Sequence, residues 1–171
     1  ADRSNHTIRK IVISTGAVTT LAGYAGSSGS ADGTGTSARF NQPNGITTDG
    51  TNLYVADFSN HKIRKIVIST GVVTTLAGSS SGFANATGTS AKFKHPVGIT
   101  TDGTNLYVSD KDNRLIRKIV ISTGVVTTLA GSGGGYLDGT GTSAKFNGLY
   151  GLSIDGTNLY VADYHNHRIR K

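Results

Sequence analysis

The sequence predicts an all-β protein, and three observations carry that prediction. The 171 residues include 24 glycines, with abundant Ser, Thr and Asn, so turns are frequent. The apolar residues are mainly Val, Ile, Leu and Tyr, which suit a pleated surface. They fall in short runs bounded by Gly, Asp and Asn, and no window shows an apolar helical period with caps. The same runs also return at a fixed interval. "DGTNLYV" begins at Asp49, Asp102 and Asp155, and "TGTSA" at Thr34, Thr87 and Thr140, each time 53 residues apart. The first interval, Asp2 to Asp57, is 55, because the loop after Gly23 is two residues longer. Units of about 1–55, 56–108 and 109–161 therefore form a single repeat array, and 162–171 ("ADYHNHRIRK") restate 1–10 ("ADRSNHTIRK").

One unit predicts four strands. "VGITTD" (97–102) precedes a turn at Gly103 and "NLYVSD" (105–110). "IRKIVIS" (116–122) then turns at Thr123-Gly124 into "VVTTLAG" (125–131). Such β-branched and aromatic runs linked by Gly-containing turns read as hairpins. Ile116 with Ile119, and Leu106 with Tyr107, place apolar groups on both faces of a strand, which requires each sheet to be sandwiched. Four-stranded units at a period of 40 to 55 residues point to propeller blades. Phe40, Phe93 and Phe146 are predicted to plug the core between blades.

"DFSNHKIRKI" (57–66) and "DYHNHRIRK" (163–171) resemble the D-x-x-N-H-R-I core of NHL repeats, and "QPNGIT" (42–47) and "HPVGIT" (95–100) the segment opening each NHL blade. The resemblance covers essentially the whole chain. Two departures stand out: Arg114 where His is expected after Asn113, and "GLYGLS" (148–153) without proline. The resemblance implies a β-propeller of three blade equivalents per chain. Near-identical copies also imply recent duplication or deliberate engineering of an excised segment.

Composition narrows the function. Cys is absent, which removes disulfides, thiolate metal sites and a catalytic thiol. No run is long enough for a membrane helix. No leader is visible at "ADRSN", and the compartment stays open. The formal charge is +7, but eight of the 17 Lys and Arg lie in the four "IRK" copies, so much of it is a by-product of repetition. "GTGTSA" fits a phosphate-loop pattern without the helix such a loop needs. The Asp–Asn–His sets (Asp57, Asn60, His61; Asp163, Asn166, His167) read as turn chemistry. No nucleophile motif is present, and no catalytic, cofactor or metal residue is assigned.

Function is expected where copies differ while the scaffold repeats. If the inner strand runs from top to bottom, the "DGTN" and "STG" turns lie on the bottom face. The "DxxNH" loop and the long connection then share the top. The variable top positions are Gln42, His95 and Gly148 in one slot, Asn44, Val97 and Tyr150 in a second, and Phe58, Lys111 and Tyr164 in a third, with Lys94 and His165 beside them. A protein or peptide is the preferred ligand. RNA is the alternative, through Lys94 and Lys111 interleaved with Tyr150 and Tyr164; metal-assisted lyase or hydrolase chemistry is a third class. The opening half-blade lacks two inner strands and the closing one two outer strands, so copies should complete one another. A dimer would give six blades and a trimer nine, with 1–10 and 162–171 competing for one slot.

Overall fold

The computed structural model describes residues 1–171 throughout. It contains strands and single 3-10 turns, with no α-helix. Sheet I pairs β1 (Ile8–Ile11) with β2 (Val18–Ala22). Sheet II holds β3 (Gly33–Thr34), β4 (Pro43–Thr48), β5 (Asn52–Asp57), β6 (Lys62–Val67) and β7 (Val72–Ala77), in the order β3-β7-β6-β5-β4. Sheet III holds β8 (Pro96–Thr101), β9 (Asn105–Asp110), β10 (Leu115–Val120) and β11 (Val126–Ala130). Sheet IV holds β12 (Leu149–Ile154), β13 (Leu159–Asp163) and β14 (Arg168–Arg170). All pairings between these strands are antiparallel. The last sheet therefore has three strands where two were expected, because the final "RIR" already pairs with β13.

The turn joining the two inner strands is set by one aspartate. Asp49 Oδ1 accepts from the N–H groups of Thr51 (2.8 Å) and Asn52 (2.6 Å), and its Oδ2 accepts from the Tyr54 hydroxyl (2.7 Å). Asp102 with Tyr107 and Asp155 with Tyr160 repeat the arrangement. Such a turn lets the carboxylate satisfy the backbone donors that a tight hairpin leaves free.

The sheets stack face to face, with β4, β8 and β12 side by side. Between sheets II and III, Ile63 and Ala77 meet Leu106, Val108, Ile119 and Val126 around Phe93. Between I and II, Ile8 and Ala22 meet Val55, Ile66 and Val73 around Phe40. Between III and IV, Ile116 meets Leu149 and Val161 around Phe146. Each phenylalanine comes from the connection between sheets, so the connection forms part of the core. Its route differs from the expectation that it stays with the "DxxNH" loops. Gly35 N–H donates to Gly71 O (2.9 Å) and Gly88 N–H to Gly124 O (2.9 Å), in the "STG" turns. β3 then covers the edge of β7, and the Thr87–Val125 bridge does the same for β11. An outer strand left uncovered would present unpaired N–H and C=O groups.

The third core is the smallest, with 5 buried residues against 11 and 7 in the others. Ile66 with Val73, and Ile119 with Val126, are buried in the first two, whereas the third is built of Ile116, Ala144, Phe146, Leu149 and Val161. A cavity of about 430 Å³ remains there, lined among others by Ile116, Ala144, Phe146, Leu159 and Val161. At the other end, Ile11 and Val18 of sheet I, the equivalents of Ile66 and Val73, are 61% and 49% exposed.

Candidate functional site

Three 3-10 turns, Phe58–Asn60, Lys111–Asn113 and Tyr164–Asn166, carry the variable residues. Each is closed by a residue in the left-handed region: His61 (φ 57°), Arg114 (φ 59°) and His167 (φ 53°). Beneath each turn lies a buried ion pair. Asp57 accepts from Asn41 N–H (2.8 Å), Asn60 Nδ2 (2.8 Å) and Arg64 Nη1 (2.9 Å). Arg64 also donates to Arg39 O (2.9 Å), Ala31 O (3.0 Å) and Asp32 (2.8 Å), all in the preceding connection. Its guanidinium lies over the Phe40 ring, 5.2 Å from the centroid.

Asp110 and Arg117 repeat this with Lys94 N–H, Asn113, Lys92 O, Ala84 O and Asn85. Arg170 occupies the same slot in sheet IV against Asp163, Lys145 O, Leu137 O and Asp138. Burial pushes Asp57 and Asp110 above the ordinary carboxylate value, against donors that pull them down, and burial also lowers Arg117. These aspartates and arginines hold the turns to the connection and face the interior.

Above the pairs, neighbouring sheets are joined by a second repeated contact. Gln42 N–H donates to His6 Nδ1 (3.0 Å), and His95 N–H donates to His61 Nδ1 (3.2 Å). Both imidazoles must be neutral at Nδ1 to accept. At the junction of sheets II and III the space above this bond is filled. Phe58 stacks on His95 (4.5 Å between centroids), His61 lies 4.7 Å from the same ring, and His95 Nδ1 meets Asp112 Oδ2 at 2.6 Å. His61 is held below the ordinary imidazole value by burial and by its neighbour His95, partly opposed by Asp112.

The predicted surface residues therefore divide into groups. Gln42 accepts from Arg3 (3.1 Å) and Ser59 (3.3 Å), and Arg3 lies over Phe58 at 4.8 Å. Phe58 and His95 form the filled junction. Lys111 sits over Tyr150 (5.5 Å), Tyr150 meets Tyr164 (5.0 Å), and Tyr164 meets His165 (5.1 Å). Lys94, Lys111 and His165 line an open cavity of about 310 Å³ with Asp112, Arg114, Asn147 and Gly148. Asn44 is half-buried on β4. Val97 is only 4% exposed, packed between inner strands with its carbonyl against Gly45, so it offers no contact surface. His61, Asp112 and Arg114 complete the face without having been singled out as ligand contacts. The signal for Arg114 was present, since it breaks the Asn-His pattern.

Residues 40–66 match the family model described as NHL repeat. The human NHL repeat-containing protein 2 is 34% identical over 78% of this chain, which covers 21% of that protein. The Arabidopsis thaliana protein SUPPRESSOR OF QUENCHING 1, chloroplastic, is 34% identical over 72% of the chain and is covered over 13% of its length. The chain thus spans about a fifth or less of these curated relatives. Among solved structures, a Bacteroides thetaiotaomicron protein of unknown function superposes with TM-score 0.79 at 26% identity, over 97% of this chain and 42% of the other. Virginiamycin B lyase from Staphylococcus aureus superposes with TM-score 0.59 at 17% identity, over 99% of this chain and 49% of its own, which is a likeness of fold. The repeated Asp–Asn–Arg turns, the sandwiched antiparallel sheets and these likenesses agree: the chain carries an NHL repeat at residues 40–66 and resembles NHL repeat-containing proteins over most of its length, with a propeller-like arrangement of its sheets.

Proposed function

We propose that this protein is a non-catalytic propeller scaffold whose incomplete blades are completed by a second copy of the same chain. The observation that carries this reading is a complementarity of apolar surfaces. The cavity beside Ile116, Phe146 and Val161 is lined largely by apolar groups, and sheet I presents Ile11 and Val18 to solvent. The inner strands support it. A Cβ on Gly45 would strike Val97 O, and one on Gly98 would strike Tyr150 O, because the next inner strand packs against each. The equivalent Gly151 faces open space and so has room for another inner strand. In the joined form, β1 of one copy replaces β14 of another, and Arg9 takes the place of Arg170 against Asp163. Two copies give six blades, the preferred arrangement, and three give nine.

Light scattering on the full chain tests the proposal. A mass of about twice or three times 17.7 kDa selects the dimer or the trimer, and a mass of 17.7 kDa at all concentrations sinks it. Deleting residues 166–171 removes the competing strand and should preserve the assembly. Deleting 155–171 removes β13 as well and should abolish it.

The exposed face of the turns is the surface on which a protein or peptide ligand would dock. The placement of Lys111 over Tyr150, with Tyr164 adjoining, favours a second reading in which the ligand is single-stranded RNA stacked on the tyrosines. Labelled single-stranded RNA titrated at two salt concentrations separates the two. Tight binding with a steep salt slope, weakened by Lys94→Ala with Lys111→Ala, selects RNA.

A further inference from the structure

The repeat makes each junction a control for the others, and one junction is built differently. Between sheets I and II, and between II and III, the imidazoles of His6 and His61 accept the N–H of Gln42 and of His95. Between sheets III and IV the corresponding residues are Arg114 and Gly148. Arginine has no acceptor to offer. Gly148 is a buried residue whose N–H makes no backbone or side-chain hydrogen bond, although its neighbour Asn147 N–H is bonded to Asp163 at 2.8 Å. A buried donor left without an acceptor is uncommon and costs free energy.

The other departures from the repeat converge on the same place. Lys94 stands where the other units have Asn41 and Asn147, and Lys111 where they have Phe58 and Tyr164. Gly148 replaces Gln42 and His95, and the His165 ring lies directly over it, in space a Cβ would fill. Lys94, Lys111, Arg114, Gly148 and His165 all line the 310 Å³ cavity, which has no apolar lining residue. Asp112 also lines it, but its Oδ2 is bonded to His95 at 2.6 Å, while Lys111 Nζ stands 3.4 Å from Oδ1. No side-chain hydrogen bond holds Lys94 or Arg114. Lys94, Lys111 and Arg114 therefore line the cavity beside one carboxylate that is already engaged, with the Arg114 guanidinium lying against Gly134.

We propose that this cavity binds a compact oxyanion, a phosphate or a carboxylate, which supplies to Gly148 N–H the acceptor that His61 supplies to His95. Oxyanions suit the site because they accept several bonds at once, and charge-assisted bonds from Arg and Lys are the strong ones. Gly148 lines the cavity and sits in the left-handed region (φ 76°).

The proposal is independent of ring closure, since oligomer mass reads one and anion titration reads the other. The test follows the Gly148 amide resonance of the full chain at low ionic strength during titration with inorganic phosphate and, separately, with succinate. Saturable shifts with one or both anions are expected, and the tighter of the two identifies the ligand class. Lys111→Gln should weaken binding roughly tenfold, as loss of one charge-assisted contact does. Lys65→Gln, an equal loss of charge on β6, should leave it unchanged. Arg114→His restores the repeat, and its new imidazole should take the Gly148 N–H and abolish the titration in a folded protein. Shifts that fail to saturate, that weaken equally in Lys65→Gln, or that survive Arg114→His would overturn the proposal.

Discussion

Arg64 and Arg9 occupy the same position in the repeat and live in different surroundings. Arg64 is fully buried, bonded to Asp57 and to three groups of the preceding connection. Within residues 1–171 no connecting segment packs against Arg9 as one does against Arg64. It keeps one partner, Asp2 at 3.5 Å, and its side chain is 38% exposed. The sequence around the two is nearly the same, so the difference comes from what packs against them. An NHL-type turn is thus a half-site: its Asp, Asn and Arg are complete only when the segment leading into the blade supplies carbonyls. Arg170 makes the same point from the other end. Its connection supplies Lys145 O, Leu137 O and Asp138, beside Asp163 of its own turn.

That contrast is tested most severely by removing the arginine. Arg117→Ala leaves the Asp110 carboxylate buried without its cation and frees the carbonyls of Lys92 and Ala84. Breaking a buried pair in this way costs about 3–5 kcal/mol. Arg9→Ala in the isolated chain should cost under about 1 kcal/mol, as exposed pairs do. Urea unfolding of the two variants measures both. If copies complete one another, Arg9→Ala acquires a second effect, a weaker association seen by light scattering, because Arg9 then sits in the buried slot. Equal stability losses in the two variants would remove the distinction between complete and incomplete turns.

The inner strands give a comparison of the same kind with a smaller expected effect. Gly98→Ala forces a methyl against Tyr150 O within the chain, and overpacking of this sort costs about 1–3 kcal/mol. Gly151→Ala meets nothing within the chain and should leave the urea midpoint of a single chain unchanged. In an assembly the new methyl would meet the inner strand of the next copy, so the mass should fall to that of one chain. A Gly151→Ala protein that still assembles would show that no inner strand approaches there.

Much of this was legible in the sequence, and the limits have physical causes. The strands, the Asp-Gly turns and the phenylalanine plugs could be read because repetition shows which residues the scaffold demands three times over. Arg64 and Arg117 meet aspartates. Their complete burial could not be read, because it depends on carbonyls of Ala31 and Arg39 in an irregular segment whose path no periodicity reveals. The same irregularity hid the contact between the connection and the "STG" turns. Val97 looked like a variable surface position because its neighbours in the slot are Asn44 and Tyr150. Side-chain identity alone does not show that inner strands lie close enough to bury it. The Gly148 N–H was invisible for another reason. Its lack of an acceptor follows from the Arg114 exchange, and a missing bond has no letter of its own.

The smallest expected effect is a dependence on pH that one junction has and another lacks. His61 accepts the His95 N–H and so must be neutral at Nδ1. Burial first, then His95 and Lys94, lowers its affinity for protons below the ordinary imidazole value, with Asp112 acting the other way. Its unfolded value is the higher one, so the unfolded chain takes the proton more readily. The stabilisation from this bond is therefore fully present above the unfolded value near 6.5 and is lost as pH falls through the folded value. At the junction of sheets III and IV the same place holds Arg114, which has no acceptor to offer. His61→Asn keeps an acceptor and tolerates the left-handed conformation, so it should flatten the decline in the urea midpoint between about pH 7 and pH 5. Arg114→His should steepen the same decline by bringing a titrating acceptor to the second junction. A profile unchanged by both substitutions would show that these inter-sheet bonds do not carry the acid sensitivity.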